Sequence, residues 1–598
     1  MGKKFDQYWY TDIREIVTLK DMLAGSVKLY SGNPAFWVKE KKGAPYQPIQ
    51  YRLLAHDIES MGTAMLDLGL RGERIAVMGQ GCYEWIVTYL AVVNGVGTVV
   101  PIDKELSGPE IANLMRASDC STIFCTQHEC RKLSDVKEIR NLVVMSFYGD
   151  RTDAEVRPEP GVADLSVYQN DEGDRNVYDW RELLAAGEDL LSEGSEEYRN
   201  IEIDPDAMSV ILFTSGTTGN PKGVMLSHRN ITSNIMDVCR IAYILQSDKT
   251  LSILPIHHTY ECTLGMLLVL YRGASTAFCE GMKYITQNMK EAHNTVIIVV
   301  PRVLEMIYDR IQKGIKSQGK EETFENIMKM NRRLKRVGID VSRTIFKKVR
   351  NELGGKLRLV VTGAAALSPQ IYRAFEDFGI TVLQGYGMTE CTPLLSGTPM
   401  SAKRERYKKA GSVGVPVSQG EIRIVDQDED GIGEILYRGP NVMLGYYNMP
   451  EETAKVLEPD GWLHTGDLGF EDRDGWIYLT GRAKNVIVTK TGENVYPEEI
   501  EDYINASPYI EDSMVFAYDN NGEEIVGVQI LPNKDYIKDV KGYLPDDEEM
   551  KTLFKEVIRD LNQGMAVYKR IRAVFVRKED FIRTTTRKIR RQDNLLTE

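Results

Sequence analysis

The stretch Ile211-Leu-Phe-Thr-Ser-Gly-Thr-Thr-Gly-Asn-Pro-Lys-Gly-Val-Met225 joins an apolar run to a loop of hydroxyls and glycines that ends at a lysine. Glycines let the backbone N–H groups of such a loop approach anionic oxygens closely, and the hydroxyls add further donors. The stretch therefore predicts a strand followed by a phosphate-binding loop. The candidate contacts are Thr214, Ser215, Gly216, Thr217, Thr218, Gly219 and Lys222.

This loop is not of the Walker A type. Gly219 and Lys222 are three positions apart, and Gly223 follows the lysine where a Walker A loop has Ser or Thr. The spacing thus excludes a P-loop NTPase. A plain surface turn is the alternative, but the ordered set of hydroxyls and glycines argues against it.

The sequence on both sides of the loop alternates between helix-period segments and short β-branched runs, from about residue 50 to residue 480. This alternation predicts parallel sheets with helices on both faces. After about Leu479, short strands and turns are followed by helices. We therefore predict an α/β protein with a large N-terminal domain of stacked α/β sheets, residues 1–483, and a small α+β C-terminal domain, residues 484–598.

Composition and charge narrow the class of protein. Lys and Arg number 74 against 87 Asp and Glu, and the resulting net charge of -13 excludes general binding to nucleic acid. The eight cysteines match neither a zinc site nor a secreted disulfide framework, so we expect buried free thiols in a reducing cytoplasm. No export or lipid signal begins the chain, and the interrupted apolar stretch Ile86 to Ile102 predicts a buried helix and a strand.

Two polar segments interrupt the pattern. Gly149 to Asp204 carries prolines and many acids, and we expect most of it to be a surface insertion and not part of the core. Lys316 to Glu352 holds eleven Lys or Arg against five Asp or Glu, with its apolar residues near one helical face. This second segment predicts an amphipathic surface helix. The more specific alternative is that its basic residues contact a membrane surface.

A second motif, Gln384-Gly-Tyr-Gly-Met-Thr-Glu390, follows the strand-like Ile380–Leu383. Open α/β sheets bind ligands at the carboxyl ends of their strands, and this motif places an aromatic ring, a hydroxyl and a carboxylate there. These residue types suit a nucleotide. A third motif, Trp462–Gly469, supplies a carboxylate at Asp467 that can accept hydrogen bonds from two vicinal hydroxyls.

With these motifs the chain resembles the acyl-adenylate-forming superfamily of acyl-CoA synthetases, luciferases and peptide-synthetase adenylation domains, from about Tyr51 to Arg591. The resemblance implies that Tyr386 stacks on adenine, Thr389 touches phosphate and Glu390 holds Mg²⁺. It also implies further nucleotide contacts, which are Gly363, Ala364, Ala365, Gln384, Gly385, Gly387, Asp467 for the ribose hydroxyls, and Arg482 for ribose or phosphate.

The resemblance extends to the acyl site and to coenzyme A. In Leu254-Pro-Ile-His-His-Thr-Tyr-Glu261, His258 matches the acyl-site histidine, and His257 and Glu261 are further candidates. Lys484 matches the hinge about which a mobile C-terminal domain swings. The loop that follows the hinge would then bring coenzyme A to the adenylate, with contacts from Lys490, Gly492 and Glu493.

The lysine motif of the superfamily matches only in part. Phe581-Ile-Arg-Thr-Thr-Thr-Arg-Lys-Ile-Arg-Arg591 has Ile582 in place of proline and Arg587 in place of glycine, whereas Lys588 aligns with the catalytic lysine. Such a cation is needed because negative charge grows on the phosphate oxygens and on the leaving pyrophosphate as the carboxylate attacks. The two replacements leave open a catalytically impaired nucleotide-binding scaffold.

Three segments resemble the long-chain fatty acyl-CoA synthetase branch, and they are Val300–Tyr308, Arg438–Tyr447 and, in its bacterial form, Gly481–Glu501. The resemblance implies ATP- and Mg²⁺-dependent activation of a fatty acid, expected to be long-chain, to acyl-AMP and pyrophosphate, followed by thioester formation with coenzyme A. An acyl carrier protein as acceptor, or a fatty acyl-AMP ligase, stays open. So do a homodimer and peripheral contact of this cytoplasmic protein with the inner face of a membrane.

Overall fold

The computed structural model of the chain describes residues 4–145, 165–168, 175–214, 221–488, 493–520, 524–583 and 589–595. These residues form two compact units, which are described separately here. The large unit comprises Met1–Glu421 and Arg438–Leu463, and the small unit comprises Ile422–Tyr437 and His464–Glu598. The domain boundary predicted between residues 483 and 484 stays a prediction.

The strands of the described residues lie in five sheets. In chain order they are β1 (Pro34–Val38), β2 (Gln47–Gln50), β3 (Arg74–Met78), β4 (Thr98–Ile102), β5 (Thr122–Thr126), β6 (Asn141–Met145), β7 (Asn176–Asp179), β8 (Met208–Thr214), β9 (Lys222–Ser227), β10 (Lys249–Ser252), β11 (Ser275–Phe278), β12 (Val296–Val299), β13 (Leu359–Thr362), β14 (Thr381–Gly387), β15 (Leu394–Gly397), β16 (Val415–Pro416), β17 (Glu421–Val425), β18 (Gly433–Arg438), β19 (Gly445–Tyr446), β20 (Leu463–Glu471), β21 (Ile477–Arg482), β22 (Ile487–Val488), β23 (Asn494–Val495), β24 (Ile510–Asp519), β25 (Glu524–Pro532) and β26 (Ala573–Val576).

The α-helices cover the sheets and connect their strands. In chain order they are α1 (Leu19–Tyr30), α2 (Tyr51–Asp67), α3 (Tyr83–Ala91), α4 (Gly108–Ala117), α5 (Trp180–Ser192), α6 (Glu197–Asn200), α7 (His228–Ile241), α8 (Leu268–Tyr271), α9 (Ile285–Ala292), α10 (Pro301–Lys316), α11 (Glu321–Arg336), α12 (Ser342–Ile345), α13 (Lys347–Glu352), α14 (Pro369–Asp377), α15 (Lys403–Lys408), α16 (Pro450–Ala454), α17 (Pro497–Ile504), α18 (Lys534–Lys541) and α19 (Asp547–Asn562). Two further segments, Val92–Val96 and Tyr260–Leu267, are π-helical.

The large unit contains an eight-stranded sheet in the order β19-β9-β8-β4-β3-β5-β6-β7. Its central strands are parallel, with Ile75 of β3 opposite Val99 of β4, and they are buried on both faces. That burial explains why their sequences are continuous apolar runs instead of alternating patterns. At one edge of the sheet, β9 runs antiparallel to both of its neighbours, β8 and β19.

A nine-stranded sheet of the large unit has the order β16-β15-β14-β13-β12-β10-β11-β1-β2. The strands from β14 to β1 are parallel to one another. Aromatic side chains of the covering helices pack beneath it, and the ring centres of Phe346 and Phe378 are 5.3 Å apart. Because these strands are parallel, the residues that follow β10, β12, β13 and β14 meet at one edge of the sheet, the edge where such sheets bind ligands.

The small unit contains a four-stranded sheet in the order β17-β18-β20-β21, a pair β22-β23 and a three-stranded sheet β24-β25-β26. Its hydrophobic core includes Ile500 of α17, Val528 of β25 and Phe554 of α19. Helix α19 begins with a capping box, in which Asp546 accepts from the backbone of Glu549 and the Glu549 side chain accepts in return. This unit mixes α and β elements, as the sequence predicted for the C-terminal part.

Most of the sequence expectations about burial are confirmed. The apolar stretch from Ile86 to Ile102 forms the buried α3, a π-helical turn and the buried β4. The basic segment forms the amphipathic α11, whose Phe324 and Met328 pack against the core. All eight cysteines are described and none forms a disulfide; seven are buried, as expected, and Cys279 is half-buried. No described helix is both long and apolar enough to cross a membrane.

The prediction of a surface insertion is wrong for its last part. Residues Asn176–Asp179 form β7, the edge strand of the eight-stranded sheet, and Trp180 at the start of α5 is buried, with its Nε1–H donating to the Thr88 hydroxyl of α3 at 2.9 Å. The strand has only four residues, and three of its four positions are not fully buried. Because the strand is short and half-exposed, its sequence contains no apolar run from which a strand could be predicted.

Candidate active site

The predicted phosphate loop connects two paired strands of the eight-stranded sheet. Thr214 at the end of β8 lies opposite Lys222 at the start of β9, and its hydroxyl donates to the Lys222 carbonyl oxygen at 3.4 Å. The predicted contacts between them, Ser215, Gly216, Thr217, Thr218 and Gly219, lie outside the described residues. The described flanks show that the loop connects two antiparallel strands whose facing ends are Thr214 and Lys222.

The side chain of Lys222 contacts Tyr446 of β19 and Glu452 of α16. Its ammonium lies 2.7 Å from Glu452 Oε2 and 4.9 Å from the centre of the Tyr446 ring. Lys455 contacts the other oxygen of the same carboxylate. Hydrogen bonds from these two lysines lower the pKa of Glu452 to about 2, so the pair is ionic at neutral pH.

The predicted adenine turn at Gly363 follows β13 at the ligand edge of the nine-stranded sheet. Thr362 lies opposite Gln384, so Gly363 stands beside the start of the Gln384–Glu390 motif. A Cβ on Gly363 would lie 3.0 Å from the Gly385 carbonyl oxygen, a contact so tight that a side chain would require one of the two backbones to shift. Ala364 has a φ of 70°, and Ala365 is exposed.

The Gln384–Glu390 motif occupies the end of β14 and the turn behind it. Tyr386 is buried, whereas Thr389 and Glu390 are half-buried in the short 3₁₀ turn Thr389–Cys391. The Tyr446 hydroxyl donates to Glu390 Oε1 at 2.9 Å, and the Met443 N–H donates to the Glu390 carbonyl oxygen at 2.8 Å. Gly387 leaves room for β15, as discussed below.

Glu390 is suited to Mg²⁺ that arrives with a nucleotide. Among the described residues no group of three or more His, Cys, Asp or Glu side chains could hold a metal ion by itself. Mg²⁺ in nucleotide sites is typically held by one or two carboxylates together with phosphate oxygens and water. A single half-buried carboxylate at a strand end therefore fits this cation when a triphosphate supplies the other ligands.

The acyl-site histidine segment lies at the same edge, after β10. His258 is half-buried, and its ring centre is 4.2 Å from that of the buried His257. The hydroxyl of Tyr260 donates to the carbonyl oxygens of Val299 and Val361, at the ends of β12 and β13. The segment is thus fixed beside the Gly363 turn, which brings the predicted acyl and adenine contacts together.

Burial changes the ionisation of two candidates in this segment. It lowers the pKa of His257 well below its usual value, and the neighbouring His258 lowers it further. It raises the pKa of Glu261 to about 8, against hydrogen bonds to the carboxylate that lower it. Both side chains are therefore mainly neutral at pH 7, which is consistent with an apolar acyl substrate nearby.

In the small unit, the predicted ribose contacts are neighbours. Asp467 of β20 lies opposite Arg482 of β21, and Arg482 Nε is 2.8 Å from Asp467 Oδ1. Asp467 is largely buried, and its N–H donates to the Thr465 hydroxyl at 3.1 Å. The ion pair orients the Asp467 carboxylate, a group whose oxygens can accept hydrogen bonds from hydroxyl groups.

Lys484 follows in the 3₁₀ turn Ala483–Asn485. Burial lowers its pKa, and the nearby Arg482 guanidinium lowers it further. Of the predicted coenzyme A contacts, Glu493 is exposed and precedes β23, whereas Lys490 and Gly492 lie outside the described residues.

The predicted catalytic lysine, Lys588, also lies outside the described residues. The residues on either side of its motif are placed, because Arg583 and Ile589 pair in an antiparallel bridge. Arg583 is anchored by Asp512 at 2.8 Å, and Arg591 by Glu501 at 2.6 Å. The small unit therefore fixes both ends of the segment that contains the lysine.

The sequence analysis missed Tyr446 and Glu452 as residues of the site. Tyr446 lies inside the segment Arg438–Tyr447, which indicates only a resemblance to one branch of the superfamily, and Glu452 lies just after that segment. The sequence does not indicate that Tyr446 contacts Lys222 and Glu390, or that Glu452 contacts Lys222, because these partners are distant in sequence.

A half-open cavity of about 480 Å³ lies elsewhere in the large unit, at the amino ends of β10 and β11. Its lining residues include Arg14, Tyr243 and Arg272. It contains no predicted site residue, and it lies at the edge opposite to the one where parallel sheets bind ligands. The cavity therefore adds nothing to the candidate active site.

Comparison with known proteins agrees with this geometry. A family described as AMP-binding enzyme matches residues 26–447, and one described as AMP-binding enzyme C-terminal domain matches residues 484–595. Long-chain-fatty-acid–CoA ligase 1 of Cavia porcellus is 29% identical over 96% of this chain and 83% of its own length. The human long-chain-fatty-acid–CoA ligase 6 is 27% identical over 97% and 84%.

Solved structures share the fold. ATP-bound MatB from Rhodopseudomonas palustris superposes with a TM-score of 0.71 at 23% identity, covering 97% of this chain and 98% of its own. The adenylation domain of a carboxylate reductase from Mycobacterium chelonae gives 0.76 at 19% identity, covering 96% and 89%. The predicted α/β fold is thereby confirmed, and the chain belongs to the family of AMP-binding enzymes, the acyl-adenylate-forming superfamily that its motifs resemble.

Proposed function

We propose that the chain activates a long-chain fatty acid with ATP to give acyl-AMP and pyrophosphate, and then transfers the acyl group to the thiol of coenzyme A. The observation that supports this most directly is that Lys222 of the eight-stranded sheet and Glu390, in the turn after β14 of the nine-stranded sheet, both contact Tyr446. A cation and a carboxylate held so close together suit a triphosphate and its Mg²⁺.

In the adenylation step, we assign binding and orientation to the large unit. Lys222, Thr214 and the loop between them bind the phosphates, and Tyr386 and the Gly363 turn bind adenine. Glu390 would hold Mg²⁺, which neutralises charge on the triphosphate. Thr389 contacts phosphate, and His258 stands at the acyl carboxylate, whose oxygen attacks the α-phosphorus and displaces pyrophosphate.

For the small unit, we assign the ribose hydroxyls to Asp467 and Arg482. Lys588 stabilises the negative charge that develops on the phosphate oxygens in the adenylation step. In the second step the thiol of coenzyme A attacks the acyl carbonyl carbon and AMP leaves. Lys490, Gly492 and Glu493 serve this step, and Lys484 is the hinge between a large domain, residues 1–483, and a small domain, residues 484–598.

The choice of a fatty acid rests on the relatives. The curated ligases named above act, by their names, on long-chain fatty acids, and they match almost the whole of this chain. Burial favours the uncharged forms of His257 and Glu261 in the candidate acyl segment. We extend the proposal to contact with the inner face of a membrane, because fatty acids partition there and α11 presents a basic surface.

A direct assay tests the proposal. The full chain is incubated with palmitate, ATP, Mg²⁺ and coenzyme A, and AMP, pyrophosphate and palmitoyl-CoA are measured; equal amounts of all three are expected. Palmitate-dependent release of AMP without palmitoyl-CoA, with transfer only to an added acyl carrier protein, would replace coenzyme A by the carrier protein as acceptor.

The exchange of labelled pyrophosphate into ATP separates an enzyme from an impaired scaffold, the alternative that Ile582 and Arg587 keep open. We expect exchange that requires palmitate and that Lys588→Ala abolishes. Lys578→Ala is the matched control, since Lys578 is a lysine close to Lys588 in sequence that pairs with Asp547 on the surface. Absence of exchange in the wild-type chain would support the scaffold.

A further inference from the structure

Tyr446 lies between the two charged side chains of the large unit that the proposed function assigns to ATP and Mg²⁺. Its hydroxyl donates a hydrogen bond to Glu390 Oε1 at 2.9 Å, and the Lys222 ammonium lies 4.9 Å from its ring centre. A single side chain thus contacts both the metal-binding carboxylate and the lysine of the phosphate loop.

The backbone around Tyr446 is fixed on both sides. Tyr446 pairs with Val224 across β19 and β9, and the Tyr447 N–H donates to the Gly223 carbonyl oxygen at 2.7 Å. The Met443 N–H donates to the carbonyl oxygen of Glu390 at 2.8 Å. Because Tyr446 is only 6% exposed, its ring has little freedom to move away from this position.

Lys222 and Glu390 differ in their partners, because Lys222 is paired with a second carboxylate, that of Glu452. The ion pair that Lys222 makes is with Glu452, at 2.7 Å, and Lys455 shares that carboxylate. Glu390 accepts its hydrogen bond from a neutral hydroxyl instead. A carboxylate bonded to a neutral donor keeps its full negative charge for a cation, whereas one paired with an ammonium does not.

We propose that Tyr446 is a positioning residue for Mg²⁺, because its hydroxyl fixes the orientation of the Glu390 carboxylate toward the metal. This inference rests on the proposed function. A lone carboxylate can rotate about its side-chain bonds, and a donor on one oxygen fixes its plane while it leaves the second oxygen for the cation. The ring face of Tyr446 attracts the Lys222 ammonium independently of the hydroxyl.

The replacement Tyr446→Phe tests the role of the hydroxyl, because it keeps the ring. Binding of a non-hydrolysable ATP analogue to the full chain is measured by titration calorimetry, once with Mg²⁺ and once with EDTA. We expect about 10-fold weaker binding with Mg²⁺, the loss typical when a group that orients a metal ligand is removed, and unchanged binding with EDTA. Tyr447→Phe is the matched control; its hydroxyl donates to Asp119 on the surface, and binding should not change.

Two outcomes would overturn the inference: equally weakened binding with and without Mg²⁺, or unchanged binding with Mg²⁺. A second test uses Glu390→Gln, which should abolish the Mg²⁺-dependent gain in affinity. Tyr446→Phe added to Glu390→Gln should cost nothing more if the hydroxyl acts through that carboxylate, and a further loss would contradict this. A wild-type chain that binds the analogue under neither condition would refute the proposed function instead.

Discussion

Gly387 is a position where the absence of a side chain shapes the candidate site. A Cβ there would lie 1.8 Å from the Pro393 carbonyl oxygen and 2.8 Å from its carbonyl carbon. Both are backbone atoms, so neither can rotate away. Glycine therefore allows β14 and β15 to approach each other just where the chain turns toward Glu390.

We predict that Gly387→Ala lowers the free energy of unfolding by about 1–3 kcal/mol, the usual cost of overpacking. It should also slow pyrophosphate exchange by about 100-fold, the order of effect expected when a displacement of about 1 Å moves a site residue. Urea denaturation and the exchange assay measure the two effects.

Gly314→Ala is the matched control for this prediction. Gly314 lies inside α10 with nothing near its missing Cβ, so alanine should raise the free energy of unfolding by about 0.5–1 kcal/mol through helix propensity. Exchange should not change. A Gly387→Ala chain that is as stable and as active as wild type would contradict the prediction, because it would show that the backbone at Pro393 can move without loss of stability or activity.

At the residue scale, the sequence allowed prediction of groups that stand inside contiguous motifs, such as Tyr386 and Glu390. It did not allow prediction of Tyr446, because the contact with Glu390 spans 56 positions and depends on a two-residue strand. Patterns of neighbouring residues carry no information about such a pairing. Asp467 and Arg482 were predicted separately, and only the register of β20 against β21 showed that they form a pair.

At the element scale, His228 joins three elements of the large unit. It is the first residue of α7, its Nδ1 accepts from the Leu19 N–H of α1 at 3.1 Å, and its Nε2 lies 3.0 Å from the Val93 carbonyl oxygen of a π-helical turn. Both bonds are made only by the neutral ring with its proton on Nε2. Burial accordingly lowers the pKa of His228 to about 4.

This arrangement predicts acid sensitivity. A histidine in the unfolded chain takes up a proton near pH 6.5, whereas His228 in the folded chain does so near pH 4. Its contribution to stability is therefore full above pH 6.5 and is lost as the pH falls toward 4, by up to about 1.4 kcal/mol per pH unit. Urea denaturation between pH 8 and pH 4 measures the slope.

The His228→Gln chain should be less stable at pH 8 but should lose less stability on acidification than wild type. His56→Gln is the control, since the His56 side chain is half-exposed on α2, and it should keep the wild-type slope. If the free energy of unfolding of the His228→Gln chain falls with decreasing pH as steeply as that of wild type, His228 is not the group that causes the acid sensitivity.

Elements themselves were predictable where they are long or fully buried. The parallel strands β3, β4 and β12 appear as apolar runs because both of their faces are covered. The four-residue β7 and the two-residue β19 escaped prediction. Their pairing with longer strands stabilises them, and that pairing is a tertiary effect which a short window of sequence does not contain.

At the scale of the whole molecule, charge is distributed unevenly. The chain has a net charge of -13, yet the segment from Lys316 to Glu352 is basic. At the end of α11, Val337 and Ile339 are 72% and 50% exposed, and Arg333 and Arg343 lie nearby in sequence and are also exposed. Apolar side chains beside basic ones are the combination by which peripheral helices bind anionic lipid surfaces.

We predict that the full chain sediments with vesicles that contain phosphatidylglycerol and less with neutral vesicles. Binding should weaken as salt rises, because the Debye length falls from about 10 Å at 0.1 M to about 3 Å at 1 M. The double variant Val337→Glu, Ile339→Glu should lose most of the binding. The control Val540→Glu changes a similarly exposed residue of the small unit and should bind normally; equal binding by both variants would place any lipid contact elsewhere.

The Tyr446–Glu390 hydrogen bond joins the edge of the eight-stranded sheet to a turn behind the nine-stranded sheet. Because hydrogen bonds weaken steeply with distance and angle, a small displacement of β19 relative to this turn would weaken the bond. Substitutions that displace β19 without touching any substrate should therefore weaken the affinity of the chain for Mg²⁺-bound nucleotide, in addition to any loss of stability.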